Sequence, residues 1–207
     1  TRYKQKQKFF IAMKPKINSI ALFGTSADPP TLGHQALMNE LTKTFPKVIT
    51  WASDNPEKKH HIPLNKRTQL LRILVKKIAN PKLELVQELS SPRTIYTLKK
   101  ALKIWPEASF SFVIGSDLAI QIPTWLKAKS ILNKAKIAIA SRDGWPIDDK
   151  QLEEIKRLGG EINLLPFNIP GSSSSQFREK PQEGLVPSVI VPMLIEENLY
   201  GFADNKK

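Results

Sequence analysis

The chain has 207 residues, of which 41% are hydrophobic and 25% charged, with a net charge of +13 and no cysteine. This composition excludes a disordered chain, and the missing thiols exclude disulfides, thiolate-held zinc or iron–sulfur centres and a cysteine nucleophile. No apolar run approaches the roughly 18 residues of a membrane span, and no secretory h-region precedes a cleavage site, so one cytoplasmic domain of ordinary size is expected.

Residues 1–16 form a basic arm in which Arg2, Lys4, Lys6, Lys8, Lys14 and Lys16 supply six of the excess positive charges. The arm reads as a solvated terminus rather than a polyanion site, and Met13 is a candidate native start. From residue 17 onward short β-rich runs alternate with helical patterns, the signature of a parallel sheet covered on both faces. Strands are expected at 17–23, 47–51, 83–88, 110–114, 136–140 and 162–165. Helices are expected at 32–44, 64–79, 94–104, 124–132 and 147–158, with a short one at 174–179 and a terminal one at 187–198. The fold class is therefore α/β: a Rossmann-like, doubly wound parallel sheet, one domain over 17–200 with a small C-terminal helical part, and a tail at 201–207. In the second helix Leu70, Leu71, Leu74, Val75 and Ile78 share a face, and Lys66, Arg67, Lys76 and Lys77 are assigned toward solvent.

Ligands of such sheets bind beyond the carboxyl ends of the strands. The first strand exit reads GTSADPPTLGH over residues 24–34. Gly24 and the small Thr25 and Ser26 let backbone amides approach an anion, and the helix start offers free N–H groups and a positive dipole end. Thr31 and His34, three residues apart, fall on one face of the first turn. Here Thr31-Leu32-Gly33-His34 resembles the (H/T)-x-G-H signature of the nucleotidyltransferase superfamily, and residues 23–34 resemble the opening motif of the nicotinate/nicotinamide mononucleotide adenylyltransferases. Thr25, Ala27 and Thr31 depart from that family's usual Gly, Phe and His.

Further along, RTIYT at 93–97 resembles an acceptor-side segment with Thr94 and Thr97 retained; Thr94 also reads as a helix cap. Gly115-Ser116-Asp117 resembles the family's I-G-x-D, in which the Asp accepts from ribose hydroxyls, with a helix N-cap as the other reading of Asp117. Trp125 matches the aromatic that lies against the acceptor's pyridine, and a core position is its alternative. Ser141-Arg142-Asp143-Gly144 is similar to R-x-G on the adenosine side. SSSSQFR at 172–178 is similar to I-S-S-T-x-I-R, which makes Ser174, Ser175 and Arg178 a second phosphate-binding group. Residues 186–200 resemble the V-P…L-Y ending and read as structural. Lys58 and Lys59, in a loop at 54–62 with His60 and His61, read as a basic polyphosphate lid rather than a zinc site.

The resemblance implies transfer of AMP from ATP, with magnesium carried by ATP and no protein-held metal, to a pyridine mononucleotide, nicotinate being favoured over nicotinamide. Thr31, His34 and Arg178 are the expected catalytic residues, and Gly24, Thr25, Ser26, Gly33, Gly115, Asp117, Ser174 and Ser175 complete the ATP site. Phosphopantetheine adenylyl transfer is the nearest rival. A non-catalytic basic nucleotide- or RNA-binding module is the rival of another class, disfavoured because no clustered aromatic platform is present. Assembly as a homo-oligomer is left open.

Overall fold

The computed structural model describes residues 19–204; the basic arm, the first two residues of the expected first strand and residues 205–207 lie outside them. The β-rich runs form β1 (Ser19–Thr25), β2 (Lys47–Ala52), β3 (Leu83–Leu85), β4 (Ser109–Gly115), β5 (Ala135–Arg142) and β6 (Ile162–Ile169). All six pair in parallel in the order β3-β2-β1-β4-β5-β6. The order reverses between β1 and β4, so a crevice opens at their carboxyl ends. The helices are α1 (Leu32–Thr44), α2 (Leu64–Ile78), α3 (Thr94–Ile104), α4 (Ala128–Leu132), α5 (Asp149–Arg157), α6 (Ser174–Glu179) and α7 (Val191–Glu196).

Alternation along β1 sends Ile20 and Leu22 into one buried cluster, with Phe110, Phe112 and Ile137, and sends Ala21 and Phe23 into another, with Leu37, Met38 and Leu74. Such two-sided burial is why the strand reads as a nearly continuous apolar run. A third cluster packs Phe177, Val186, Ile190, Leu194 and Phe202 against Ile62 and Leu70. The C-terminal part is thereby fixed over α2, and Phe202, within the expected tail, is core.

Several boundaries differ from the sequence pattern for identifiable reasons. β3 stops at Leu85 because a 3-10 turn, Gln87–Leu89, follows; the Gln87 amide then bonds both N and O of Ala52, at 2.9 and 2.7 Å, in place of strand backbone. The helix expected at 124–132 is a 3-10 segment, Ser116–Thr124, followed by the shorter α4. Pro123 and the left-handed Lys127, at φ 58°, separate the two. The helix expected at 187–198 is likewise reduced to a 3-10 turn at Ser188–Ile190 followed by α7, and beyond the left-handed Asn198 a further turn runs over Leu199–Gly201.

Arg67 corrects the reading of α2. It is 1% exposed, one of the largest fully buried side chains. Its position, three and four residues before Leu70 and Leu71, belongs to the apolar face, and its charge is satisfied by backbone carbonyls. Nη1 donates to Ser26 O at 2.8 Å and Ser53 O at 2.7 Å, and Nε donates to Ile62 O at 3.3 Å.

Candidate active site

A cleft of about 420 Å³ lies over the carboxyl ends of β1, β4, β5 and β6. Gly24, Thr25, Ser26, Gly33, His34, Lys58, Lys59, Gly115, Asp117, Ser174, Ser175 and Arg178 all line it, so loops far apart in sequence converge there. Two glycines mark close approaches. A Cβ on Gly24 would meet the Trp51 ring at 2.5 Å, and one on Gly33 would meet Pro170 O and Ser172 O at 3.1 Å. Gly33 thus lets the start of α1 pack onto the segment before α6, where its amide donates to Ser172 Oγ at 2.9 Å.

His34 is set by its own helix start. The Thr31 amide donates to His34 Nδ1 at 3.0 Å, and Thr31 Oγ1 lies 2.8 Å from the same nitrogen. An amide can only donate, so Nδ1 is the acceptor and the proton of the neutral ring resides on Nε2. Burial, reinforced by Arg142 and Lys58, lowers the imidazole pKa from 6.5 to about 4. At neutral pH the ring is therefore an uncharged N–H donor in the cleft wall. By NMR, His34 is expected to titrate near pH 4 in the ligand-free protein. Because the folded value lies below the ordinary one, its contribution to stability is complete above pH 6.5 and is lost as pH falls through about 4. Titration at the ordinary value would remove the neutral-donor assignment.

Thr31 occupies a different place from His34. Its side chain is fully buried, absent from the cleft lining, and its hydroxyl lies between His34 Nδ1 and Ser172 O, the latter at 3.3 Å. It can orient the imidazole but does not face the cleft. Ser26 does face it, with a buried hydroxyl that has no partner.

The second phosphate segment is stitched to the first. Ser173 caps α6, accepting from Gln176 N at 3.0 Å, and Ser174 Oγ donates to Pro29 O at 2.8 Å. Arg178 donates through Nη1 to Asp28 O at 2.7 Å and through Nη2 to Ser175 Oγ at 3.1 Å. Its side chain remains 21% exposed at the cleft.

Asp117 stands in the first turn of the 3-10 segment and accepts from Arg142 Nη1 at 2.9 Å. Gly115, not Asp117, is the cap residue. Arg142 also donates to Ser172 O at 3.1 Å, and its buried Nε has no partner, so one guanidinium links the ends of β4, β5 and β6. The acceptor-side residues lie elsewhere: Thr94, Thr97 and Trp125 do not line this cleft. Thr97 is 3% exposed and donates to Leu89 O at 3.0 Å. Trp125 packs edge-on to Phe112, with centroids 6.3 Å apart. Arg93, rather than Thr94, takes the cap position of α3.

Asp28 is the cleft residue that the sequence reading did not single out. It is 2% exposed, yet lines the cleft and accepts from Tyr200 Oη at 2.7 Å and His61 N at 2.9 Å. A lone acid inside an anion-binding motif was the available signal, since such a group needs dedicated donors.

Residues 22–180 match the cytidylyltransferase-like family. A probable nicotinate-nucleotide adenylyltransferase of Synechocystis sp. is 33% identical, covering 87% of this chain and 98% of that protein. Another, of Geobacillus kaustophilus, is 26% identical over 89% of this chain and 87% of its own length. Among solved structures, the Plasmodium falciparum nicotinic acid mononucleotide adenylyltransferase complexed with NaAD superposes with a TM-score of 0.77 at 22% identity, covering 89% and 98% of the two chains. With the parallel sheet, the switch-point cleft and the T-x-G-H helix start in agreement, the chain belongs to the cytidylyltransferase-like family, among its nicotinate-nucleotide adenylyltransferases.

Proposed function

We propose that the protein transfers the adenylyl group of ATP to the phosphate of nicotinate mononucleotide, releasing pyrophosphate and forming deamido-NAD, a step in NAD biosynthesis. The observation that carries the reaction type is His34, a neutral donor locked at the start of α1 on the wall of the switch-point cleft. The nicotinate acceptor is supported by the names of the relatives.

The chemistry asks little of protein acids and bases. A phosphate monoester has a second pKa of about 6 and is already nucleophilic near neutrality. Its oxygen attacks the α-phosphorus of ATP, a new P–O bond forms, and the bond to the bridging oxygen breaks to release pyrophosphate. The protein's task is to hold two polyanions in line and stabilise charge in the transition state. In this reading His34 Nε2–H and the amides at the start of α1 serve the α-phosphoryl oxygens. Arg178 and Ser175, with Lys58 and Lys59, hold the β- and γ-phosphates. Asp117, positioned by Arg142, receives the ribose. Thr31 acts through His34, and Thr97 through the turn it ties to Leu89, which leaves Trp125 and Thr94 as the acceptor contacts.

Magnesium enters this scheme with ATP. Among the described residues no group of His, Cys, Asp and Glu side chains is arranged to hold a metal ion; Asp28, which has the His60 and His61 rings 3.9 and 3.7 Å from Oδ2, already accepts two hydrogen bonds through its carboxylate. A cation carried by the triphosphate would supply charge neutralisation there, beside Lys58, Lys59 and Arg178 in the same cleft.

The test is pyrophosphate release from MgATP with nicotinate mononucleotide, nicotinamide mononucleotide or phosphopantetheine supplied separately. Nicotinate mononucleotide is expected to give the highest kcat/KM. Preference for either other acceptor would reassign the substrate, and no release with any of them would return the chain to the binding-module reading.

A further inference from the structure

The turn at Leu199–Gly201 lies at the end of the chain, yet it reaches the cleft. Tyr200 adopts left-handed backbone at φ 59°, as does Asn198 at φ 44°, a conformation uncommon for residues bearing a Cβ and retained where surrounding contacts over-determine it. The Tyr200 ring sits edge-on to Phe177 at 5.8 Å, and its hydroxyl donates to Asp28 Oδ1 from 172 residues away in sequence. Burial and the neighbouring carboxylate push the phenol far above its ordinary pKa, so it stays a donor. On the other side of the bond, Ala27 is also left-handed, at φ 47°. Strained backbone thus brackets a single hydrogen bond.

Asp28 accepts three hydrogen bonds, and the His60 and His61 rings also stand 3.9 and 3.7 Å from Oδ2. Oδ1 accepts from Tyr200, Oδ2 accepts from the His61 amide, and the main-chain carbonyl accepts from Arg178. The Arg178 guanidinium lies 4.0 Å from Oδ2, beyond hydrogen-bonding reach of the charge. If Oδ1 lost its donor, a buried carboxylate would be left short of one hydrogen bond, and Arg178 is a cation near enough to replace it.

We infer that Tyr200 is a positioning residue for ATP: by satisfying Asp28 Oδ1 it keeps the carboxylate from capturing Arg178 and leaves the guanidinium facing the cleft. The inference rests on the assignment of Arg178 to the triphosphate of an adenylyl-transfer site. The C-terminal helical part, packed through Phe177 and Phe202, is then a strut for substrate binding as well as a cover for α2.

Tyr200→Phe removes only the hydroxyl and keeps the ring on Phe177. KM for ATP is expected to rise about tenfold, the scale of one hydrogen bond to a charged group, with kcat and the acceptor KM changing less than about twofold. Calorimetric titration of the folded variant with a non-hydrolysable ATP analogue should show the same loss without turnover. In an Arg178→Ala background, Tyr200→Phe should add nothing further to KM for ATP. Unchanged ATP binding in the single variant, multiplying effects in the double variant, or equal loss on both substrates would each overturn the inference. Inactivity of the wild-type enzyme with every acceptor would instead strike the reaction itself.

Discussion

His34→Ala is expected to lower kcat by about 10²–10³, the scale for removing one preorganised donor from a developing oxyanion, while the fold stays intact and Tm falls only by the loss of the bond from the Thr31 amide. The size follows from how firmly the ring is prepared before substrate arrives. Nδ1 is occupied by the Thr31 amide and Nε2 alone is left to donate. The lowered pKa, a consequence of burial reinforced by Arg142 and Lys58, keeps that donor uncharged, so no proton need be lost or gained on the ring during transfer. Steady-state kinetics with MgATP and nicotinate mononucleotide provide the check. His34→Asn, which keeps an N–H donor but not the ring's reach, should fall between alanine and wild type. A kcat for the alanine variant within about threefold of wild type would be far below the loss of an oxyanion donor and would remove His34 from the transition state.

Arg67→Met is expected to destabilise the fold by about 2–4 kcal/mol, even though Met fills similar space. Ser26 O and Ser53 O each lose a donor, and a buried acceptor left unpaired costs about 1–3 kcal/mol. Relief from burying a cation offsets part of that loss. For a protein of this length the Tm should fall by roughly 5–15 °C, measurable by calorimetry. Arg67→Lys should recover only part, because one ammonium can serve the two carbonyls that Nη1 reaches but not Ile62 O as well, which takes the separate Nε donor. The carbonyls concerned belong to the loops carrying Ser26 and leading to Lys58 and Lys59, so ATP affinity should fall with stability. A Tm within about 2 °C of wild type would mean that water replaces the guanidinium at little cost.

Much of this molecule is legible along the chain because the relevant physics is local. Apolar alternation and helical spacing report which face of each element is buried, and together they define a doubly wound parallel sheet. The loop into the start of α1 is contiguous, so Gly24, Gly33 and His34, which line the cleft, can be singled out before any contact is known. Ser174, Ser175 and Arg178 are likewise adjacent in sequence, since Ser175 and a basic residue three positions on share one helix turn.

Only the tertiary structure decides what depends on partners from distant segments. Arg67 occupies the apolar face of α2 by spacing, but its burial is tolerated because Ser26, Ser53 and Ile62 bring their carbonyls to it and the Asp54 carboxylate stands 3.7 Å from Nη2. Thr31 shares its helix turn with His34, and only the packing of residue 172 onto that turn shows that the threonine lies behind the imidazole. Asp28 and Tyr200 have no periodic or spacing signal connecting them, because a hydrogen bond across 172 residues exists only after the C-terminal turn has docked. The sequence by itself determined the parallel sheet and the contiguous first loop with its helix start, whereas the strand order, and with it the switch point between β1 and β4, belongs to the tertiary structure. The tertiary structure decided which side chains of that loop face the cleft and which are spent holding it, because hydrogen bonds and burial depend on spatial neighbours that local pattern does not encode.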